Sequence, residues 1–381
     1  MYFAQTQTSQ GFSGSLMFFI FLLDLLDQII GQESRYKERG YYMRKRKSII
    51  SVVTTCFMVA SLAYFSPLPA NAASAAYYVS TSGNDSNSGQ TTDKPYKTID
   101  KAISKASAGT TIYLMGGTYS SSTTFKLSAK GTSGAPIKIV NYNGQKPVVD
   151  FSSQPYADSS RGFQITGDYW NISGLTIQNA GDNGIHISGS NNQISDCFIT
   201  KCGDTGLQMS NGASNNKIVK VTSTYNYDKK TNGENADGFA AKLSIGPGNV
   251  FQNCIALNNS DDGFDFYSAG NAVKVYNSEA SYNGNNSGNG QGFKVGGNFT
   301  ADNHYLEGCV ATANKARGFD QNNNTGAVTL KNCTANNNNV NFNFPKAPNS
   351  GKHNFTGCIS NGGKNKDVIV GANVVNCSFK N

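Results

Sequence analysis

Charge is scarce in this chain: Asp, Glu, Lys and Arg make up 15% of its 381 residues, against about 25% in ordinary globular proteins. Tryptophan occurs once. Low charge joined to many Gly, Asn, Ser and Thr excludes a helical bundle, because these residues favour turns and strands. No Cys-x-x-Cys pair occurs, so no structural zinc module of that type is expected. No Leu-x-x-Leu-x-Leu pattern recurs either, which sets leucine-rich repeats aside. What is plentiful points one way. Glycine numbers 41 of 381, well above the usual ~7%. The 22 Phe and 19 Tyr within a 38% apolar composition argue against disorder. The composition is that of a turn-rich β protein.

The first 72 residues read as processing sequence. Met43-Arg44-Lys45-Arg46-Lys47 is a basic start, Ile49 to Phe65 is mostly apolar, and Ala70-Asn71-Ala72 has the small-x-small form of a signal-peptidase site. Residues 43–72 are therefore expected to be a secretory signal cleaved after Ala72, which places the protein outside the cell. The apolar core is short, holds Ser and Thr, and is followed by Pro67 and Pro69, so it suits a signal better than a membrane anchor. Residues 1–42 are unusual ahead of a signal; the apolar stretch Leu16–Ile30 carries Asp24 and Asp27. The reading is that Met43 is the true start and 1–42 is translated upstream sequence. Purine-rich codons for Lys37-Glu38-Arg39-Gly40 can spell a bacterial ribosome-binding site just before Met43. An intact-mass measurement that found residues 1–42 in the natural precursor would sink this reading. Residues 1–72 hold seven basic and four acidic side chains, so a net charge of +8 for the whole chain leaves +5 on residues 73–381. That balance suits an anionic polymer without naming it.

The repeats decide the architecture. Six segments begin with glycine and continue as a strand: Gly184-Ile-His-Ile, Gly206-Leu-Gln-Met, Gly238-Phe-Ala-Ala, Gly263-Phe-Asp-Phe, Gly292-Phe-Lys-Val and Gly318-Phe-Asp-Gln. Their glycines lie 22, 32, 25, 29 and 26 residues apart. A period in the twenties, with short strands and polar turns, predicts a solenoid, and the remaining fit is an all-β, single-domain parallel β-helix over residues 73–381. Stacked coils should make ladders of like residues. Phe239, Phe264, Phe293 and Phe319 are expected to point inward as an aromatic stack. Asn259, Asn283, Asn314 and Asn338 fall at matching turn positions and suit an amide ladder. Cys254, Cys309, Cys333, Cys358 and Cys377 share one context, which favours small buried residues over bridges. Removal of Cys56 with the signal leaves seven cysteines, so at least one thiol is free or bonded between molecules, and a Cys197–Cys202 disulfide is the alternative within the chain. Tyr77–Val79 and Thr111–Leu114 read as strands. Tyr96–Ala106 reads as a short amphipathic helix that caps the first coil, where open strand edges invite aggregation. Residues 346–381 read as irregular last coils.

The chemistry sits on aligned repeats. Asp237 precedes Gly238, and Asp261-Asp262-Gly263-Phe264-Asp265 comes one period later, so the glycines place Asp237 and Asp262 on neighbouring rungs about 4.8 Å apart. Four carboxylates this close repel unless a cation joins them or some are protonated. A hard divalent cation with oxygen ligands answers this, and calcium tolerates irregular carboxylate geometry better than magnesium. The spacing matches neither an EF-hand nor a glycine-rich nonapeptide calcium repeat; the bland alternative is a solvated Asp-rich turn. The second position after each glycine forms another column: His186, Gln208, Ala240, Asp265, Lys294, Asp320. Lys294 thus stands one rung from Asp265, either as a structural ion pair or as a Brønsted base made more acidic by a neighbouring dication. Lys242 and Arg317 lie on nearby rungs, where they can hold substrate carboxylates or make surface ion pairs. His186 reads as a surface or groove residue.

Asn235-Ala-Asp-Gly-Phe-Ala-Ala-Lys242, Asp261-Asp-Gly-Phe-Asp265 and Gly292-Phe-Lys-Val-Gly-Gly297, in this order, resemble the pectate lyases of polysaccharide lyase family 9. The resemblance covers roughly residues 77–345 and is strongest over 233–297. It implies a right-handed parallel β-helix, Ca2+ held by Asp237, Asp261, Asp262 and Asp265, and Lys294 as the catalytic base, with Asn235 near the metal. The implied partner is an anionic polysaccharide, polygalacturonate, cleaved by β-elimination; no nucleic acid, no membrane after signal cleavage and a monomeric state are expected. Three rival readings stay open. A glycoside hydrolase would use paired carboxylates such as Asp261 and Asp262, although the Gly-His-Gly and Arg-x-Lys elements of polygalacturonase-like hydrolases are missing from residues 73–381. A lyase for another uronate polymer such as alginate would share the metal and lysine. A non-catalytic carbohydrate-binding solenoid would keep the metal and not need Lys294.

Overall fold

The computed structural model describes residues 75–380. The segments read as a leader, 1–42, and as a signal, 43–72, lie outside the described residues. Within the described residues the chain winds through three parallel sheets, visiting them in a fixed order, and neighbouring strands within each sheet run parallel. Sheet 1 has twelve strands, from Ala76–Val79 to Ala372–Val375; sheet 2 has ten, from Gly117–Ser120 to Ile359–Asn361; sheet 3 has ten, from Phe125–Leu127 to Val368–Ile369. This is the parallel β-helix that the repeats predict.

Local sequence explains the corners. The residue that turns the chain from sheet 1 to sheet 2 sits in the left-handed region on successive coils, with φ of +54° at Asn253, +48° at Asn277, +64° at Gly308, +50° at Asn332 and +63° at Gly357. Glycine and asparagine enter that region at least cost, which accounts for much of the demand for both. The next residue points inward, and here stand Cys197, Cys254, Cys309, Cys333 and Cys358, all buried with free thiols. Cys197 and Cys202 are likewise free rather than bridged.

The interior is laddered. Phe239, Phe264, Phe293 and Phe319 stack at centroid separations of 4.9, 4.7 and 5.0 Å, and Phe342 extends the column at 5.1 Å. Phe342 escaped the repeat pattern because Asn341, not glycine, precedes it. Beside it runs the amide ladder, in which each Nδ2 donates to the next Oδ1: Asn226 to Asn259 at 2.8 Å, Asn259 to Asn283 at 3.0 Å, Asn283 to Asn314 at 2.9 Å and Asn314 to Asn338 at 3.0 Å. The repeat glycines make room for it: a Cβ on Gly263 would stand 2.6 Å from Ala280 Cβ and 3.0 Å from Asn283 Nδ2. A second amide column, Asn192, Asn216 and Asn249, lines another corner, and further along the imidazoles of His304 and His353 accept backbone N–H groups of Val273 and Val328.

At the front, the helix is shorter than expected, Ile99–Ile103, with the Thr98 hydroxyl capping Lys101 N at 3.3 Å. Tyr96 instead bridges to Val79 as extended chain. Ile99 and Ala102 are buried against the first strands. At the other end the expectation of irregular coils fails. Residues 353–375 form four regular strands in the same three sheets, because backbone pairing continues even where the glycine repeat has faded.

Candidate active site

The site lies on sheet 3, where the inward phenylalanine of each rung leaves its neighbour facing outward. The observed register matches the expected column: His186 pairs with Gln208, Gln208 with Ala240, Ala240 with Asp265, Asp265 with Lys294 and Lys294 with Asp320. The connections from sheet 2 to sheet 3 are long at 225–238 and 282–292. They carry Asn235, Asp237 and Gln291 to the edge of this column and account for the wider glycine spacings.

Asp237, Asp262 and Asp265 come together. All three are buried, and each offers an oxygen within 4.8 Å of the others. Asp237 Oδ1 accepts the Asp262 N–H at 3.1 Å, and its Oδ2 stands 3.1 Å from the Thr205 hydroxyl. Asp262 Oδ1 accepts the Gln291 N–H at 2.7 Å, while its buried Oδ2 faces the Lys294 ammonium at 3.2 Å. Asp265 Oδ1 accepts the Tyr267 N–H at 2.9 Å. Asp261 stands apart from the three. Its oxygens accept the N–H groups of Asn235 at 2.9 Å and Asn289 at 2.5 Å, tying both loops down. Asn235 itself is exposed beside the cluster, in the left-handed region at φ +70°.

Two lysines enter the cluster. Lys294 Nζ lies 3.2 Å from Asp262 Oδ2 and 3.5 Å from Asp265 Oδ1, and 5.8 Å above the Tyr267 ring. Lys242 Nζ lies 2.9 Å from Asp237 Oδ2 and 3.3 Å from Asp265 Oδ2. Lys242, expected either as a substrate contact or as an ion-pair partner, turns inward to these ion pairs and is nine-tenths buried. Arg317 does remain partly exposed, with Nη1 3.4 Å from Asp320 Oδ2.

Burial pushes the Asp237 carboxyl up to about 7, against the pull of Lys242 and with Asp265 and Asp261 adding to the rise. Burial drives Asp262 up more strongly, although Lys294 opposes it. Asp265 is also buried, yet Lys294 and Lys242 hold it below the usual carboxylate range. For Lys294, burial favours the neutral amine, but the carboxylates of Asp265 and Asp262 outweigh it and raise its pKa. Asp237, Asp262 and Asp265 are hard oxygen donors gathered in one buried cluster, and that set fits a hard divalent cation such as calcium.

Other residues here escaped the sequence reading. Tyr267 lies under Lys294, and Gly297 makes room for it, since a Cβ there would stand 2.3 Å from the ring. The glycine pair Gly296-Gly297 was the available signal. Asp182 and Asp204 sit two residues before Gly184 and Gly206, the position that Asp261 holds before Gly263. They line a cavity of about 330 Å3 with Tyr156, Arg161, Asp228 and Asn235. His186, read as a surface or groove residue, stands in the outward column but is enclosed: its Nε2 is 2.9 Å from Ser210 Oγ and its Nδ1 is 3.2 Å from Arg161. Burial, with Arg161 adding, lowers its pKa to about 4.

A family model described as the Pel9A-like right-handed β-helix region matches residues 77–361. The chain belongs to the Pel9A-like pectate lyases of polysaccharide lyase family 9. The coil is thus right-handed, as the resemblance implied. Pectate lyase L of Paenibacillus polymyxa is 40% identical over 318 residues, covering 77% of this chain and 69% of that protein. Pectate lyase L of Dickeya dadantii is 37% identical over 300 residues, covering 74% and 70%. Among solved structures, pectate lyase Pel9A superposes with a TM-score of 0.73 at 37% identity, covering 78% of each chain. A rhamnogalacturonan lyase also superposes at 0.73, with 27% identity and coverage of 80% and 88%.

Proposed function

We propose that the protein is a secreted, calcium-dependent pectate lyase that cleaves polygalacturonate, the demethylated backbone of pectin, by β-elimination. One observation carries the reading: a lysine ammonium stands within 3.5 Å of two of three buried carboxylates that can hold a metal ion, on the fold of a solved pectate lyase. Asp237, Asp262 and Asp265 hold the ion, and Asp261 is the fourth ligand that the family resemblance adds. Calcium held there would neutralise the C6 carboxylate of the uronate and so make the neighbouring C5 proton more acidic. Lys294 takes that C5 proton as Brønsted base. The electron pair left on C5 forms the C4–C5 double bond as the glycosidic oxygen leaves C4 and takes a proton from solvent, and no water is added across the bond. Arg317 binds a carboxylate of the polymer through its exposed guanidinium, and Asn235 lies at the rim beside the metal. The signal at 43–72 and the extracellular character of the substrate support secretion, and the protein acts as a monomer.

The test is ultraviolet absorbance of unsaturated uronate on polygalacturonate at alkaline pH, with calcium, with calcium chelated, and with Lys294→Ala. Absorbance that needs both calcium and Lys294 supports the reading. New reducing ends without absorbance would mean hydrolysis and overturn it.

The superposition with a rhamnogalacturonan lyase favours a second reading, a lyase for a uronate backbone that contains other sugars. Absorbance that appears on rhamnogalacturonan and not on polygalacturonate would establish it.

A further inference from the structure

The cluster contains one more cation than the proposed reaction uses. Lys242 follows the strand Phe239–Ala241 and turns back to span two rungs, 2.9 Å from Asp237 Oδ2 and 3.3 Å from Asp265 Oδ2. Its rung offers nothing else to Asp265, because the register partner there is Ala240, itself buried. Only 11% of the Lys242 side chain is exposed, too little for it to reach out to a polymer in the groove. With every carboxyl ionised and both lysines charged, Asp237, Asp262 and Asp265 with Lys242 and Lys294 would carry one net negative charge and Asp261 another, which a bound dication would offset. Without Lys242 the metal-free cluster would hold one more uncompensated charge in a buried setting, where such charges are costly.

We propose that Lys242 is a built-in counter-cation: it lets the three carboxylates pack before metal arrives, and it weakens metal binding by occupying two of the same carboxylates. The inference rests on the reading of Asp237, Asp262 and Asp265 as the calcium site, and it makes Lys242 a positioning residue rather than a catalytic one. Its signature separates it from an ordinary structural ion pair. Truncating a structural residue lowers stability and loosens the site, so ligand binding weakens. Removing a counter-cation lowers the stability of the metal-free protein and yet strengthens calcium binding.

Calorimetric titration of the purified full chain with calcium chloride, paired with melting curves in chelator and in calcium, tests it on the native chain, Lys242→Met, Lys242→Gln and Lys242→Arg. Both neutral variants should bind calcium about tenfold or more tightly, as expected for loss of a positive charge a few ångströms away. Their melting temperature should fall further in chelator than in calcium, and Lys242→Arg should restore native affinity. Neutral variants that need calcium in the medium in order to fold at all would also support the proposal. Unchanged or weaker binding in the neutral variants would overturn it, as would failure to fold in saturating calcium. Asp262→Asn isolates the underlying reading: if the native chain binds no calcium, or Asp262→Asn leaves binding unchanged, the metal assignment itself fails.

Discussion

Asp265 and Lys294 are register partners on adjacent strands, and the ammonium lies 3.5 Å from the Asp265 carboxylate and 3.2 Å from that of Asp262. These carboxylates raise the lysine pKa in the metal-free protein, whereas a base must be neutral to accept a proton. Activity should therefore climb through the alkaline range, and its rising limb should shift to lower pH as calcium approaches saturation, because a dication offsets the carboxylates. Lys294→Arg should lose about 10³-fold or more in kcat, since guanidinium does not deprotonate, while calcium binding measured by titration persists. A rate independent of pH between 7 and 10, measured at saturating calcium, would remove Lys294 from the role of base.

Gly263 holds the two rungs together. A Cβ there would meet Ala280 Cβ and Gly292 O, each at 2.6 Å, and the clustered carboxylates of Asp262 and Asp265 lie on either side. Gly263→Ala should cost about 1–3 kcal/mol through overpacking and should weaken calcium binding as the flanking carboxylates shift. Denaturant melts and calcium titration of the variant check both effects.

Asn283 is the middle of the amide ladder. Its Oδ1 accepts both the backbone N–H and the Nδ2 of Asn259, each at 3.0 Å. Asn283→Leu should leave those buried donors unpaired and cost about 2–4 kcal/mol, with the loss concentrated at this corner. Hydrogen exchange should show Asn259 and its neighbours losing protection before the outer coils do.

Asp182 gives a pH signature of its own. Burial, then the nearby Asp204, push its carboxyl up to about 7. The ordinary value is 3.8, so between 3.8 and 7 the unfolded chain has released a proton that the folded chain retains. Its contribution therefore falls as pH rises through this window. Asp182→Asn should remove that dependence, flattening the decline in melting temperature from pH 4 to 8 by about 2–5 °C.

The thiols offer a simple count. Of the seven cysteines among the described residues only Cys377 is partly exposed, and none is bridged. In the protein from Ala73 onward, a thiol reagent should label one site in the native state and seven after denaturation. Two or more rapidly labelled thiols would mean that the last coil, which carries Cys358 beside Cys377, opens readily.

Much of this was legible before any coordinates. The spacing of the glycines placed Asp237, Asp262, Asp265 and Lys294 on neighbouring rungs, because in a parallel β-helix sequence period and spatial stacking are the same quantity. The phenylalanine and asparagine ladders followed from the same alignment. Where the period lost its marker the reading stopped. Phe342 lacks its preceding glycine, and the strands from 353 to 375 lack the Gly-Phe marker although Cys358 keeps its place, yet the backbone of each earlier rung still offers a hydrogen-bonding edge for the next.

Side-chain direction was the other limit. Sequence alone determined the coil, its rungs, and which acidic and basic residues share a level, because those depend on backbone periodicity. Only the tertiary structure decided that Lys242 turns into the cluster while Arg317 stays in the open, that Asp261 is taken up by the Asn235 and Asn289 backbones, and that His186 is enclosed. Those outcomes depend on the packing of the long loops at 225–238 and 282–292 and on the balance of buried charges. Both are set by neighbours far apart in sequence rather than by spacing along the chain.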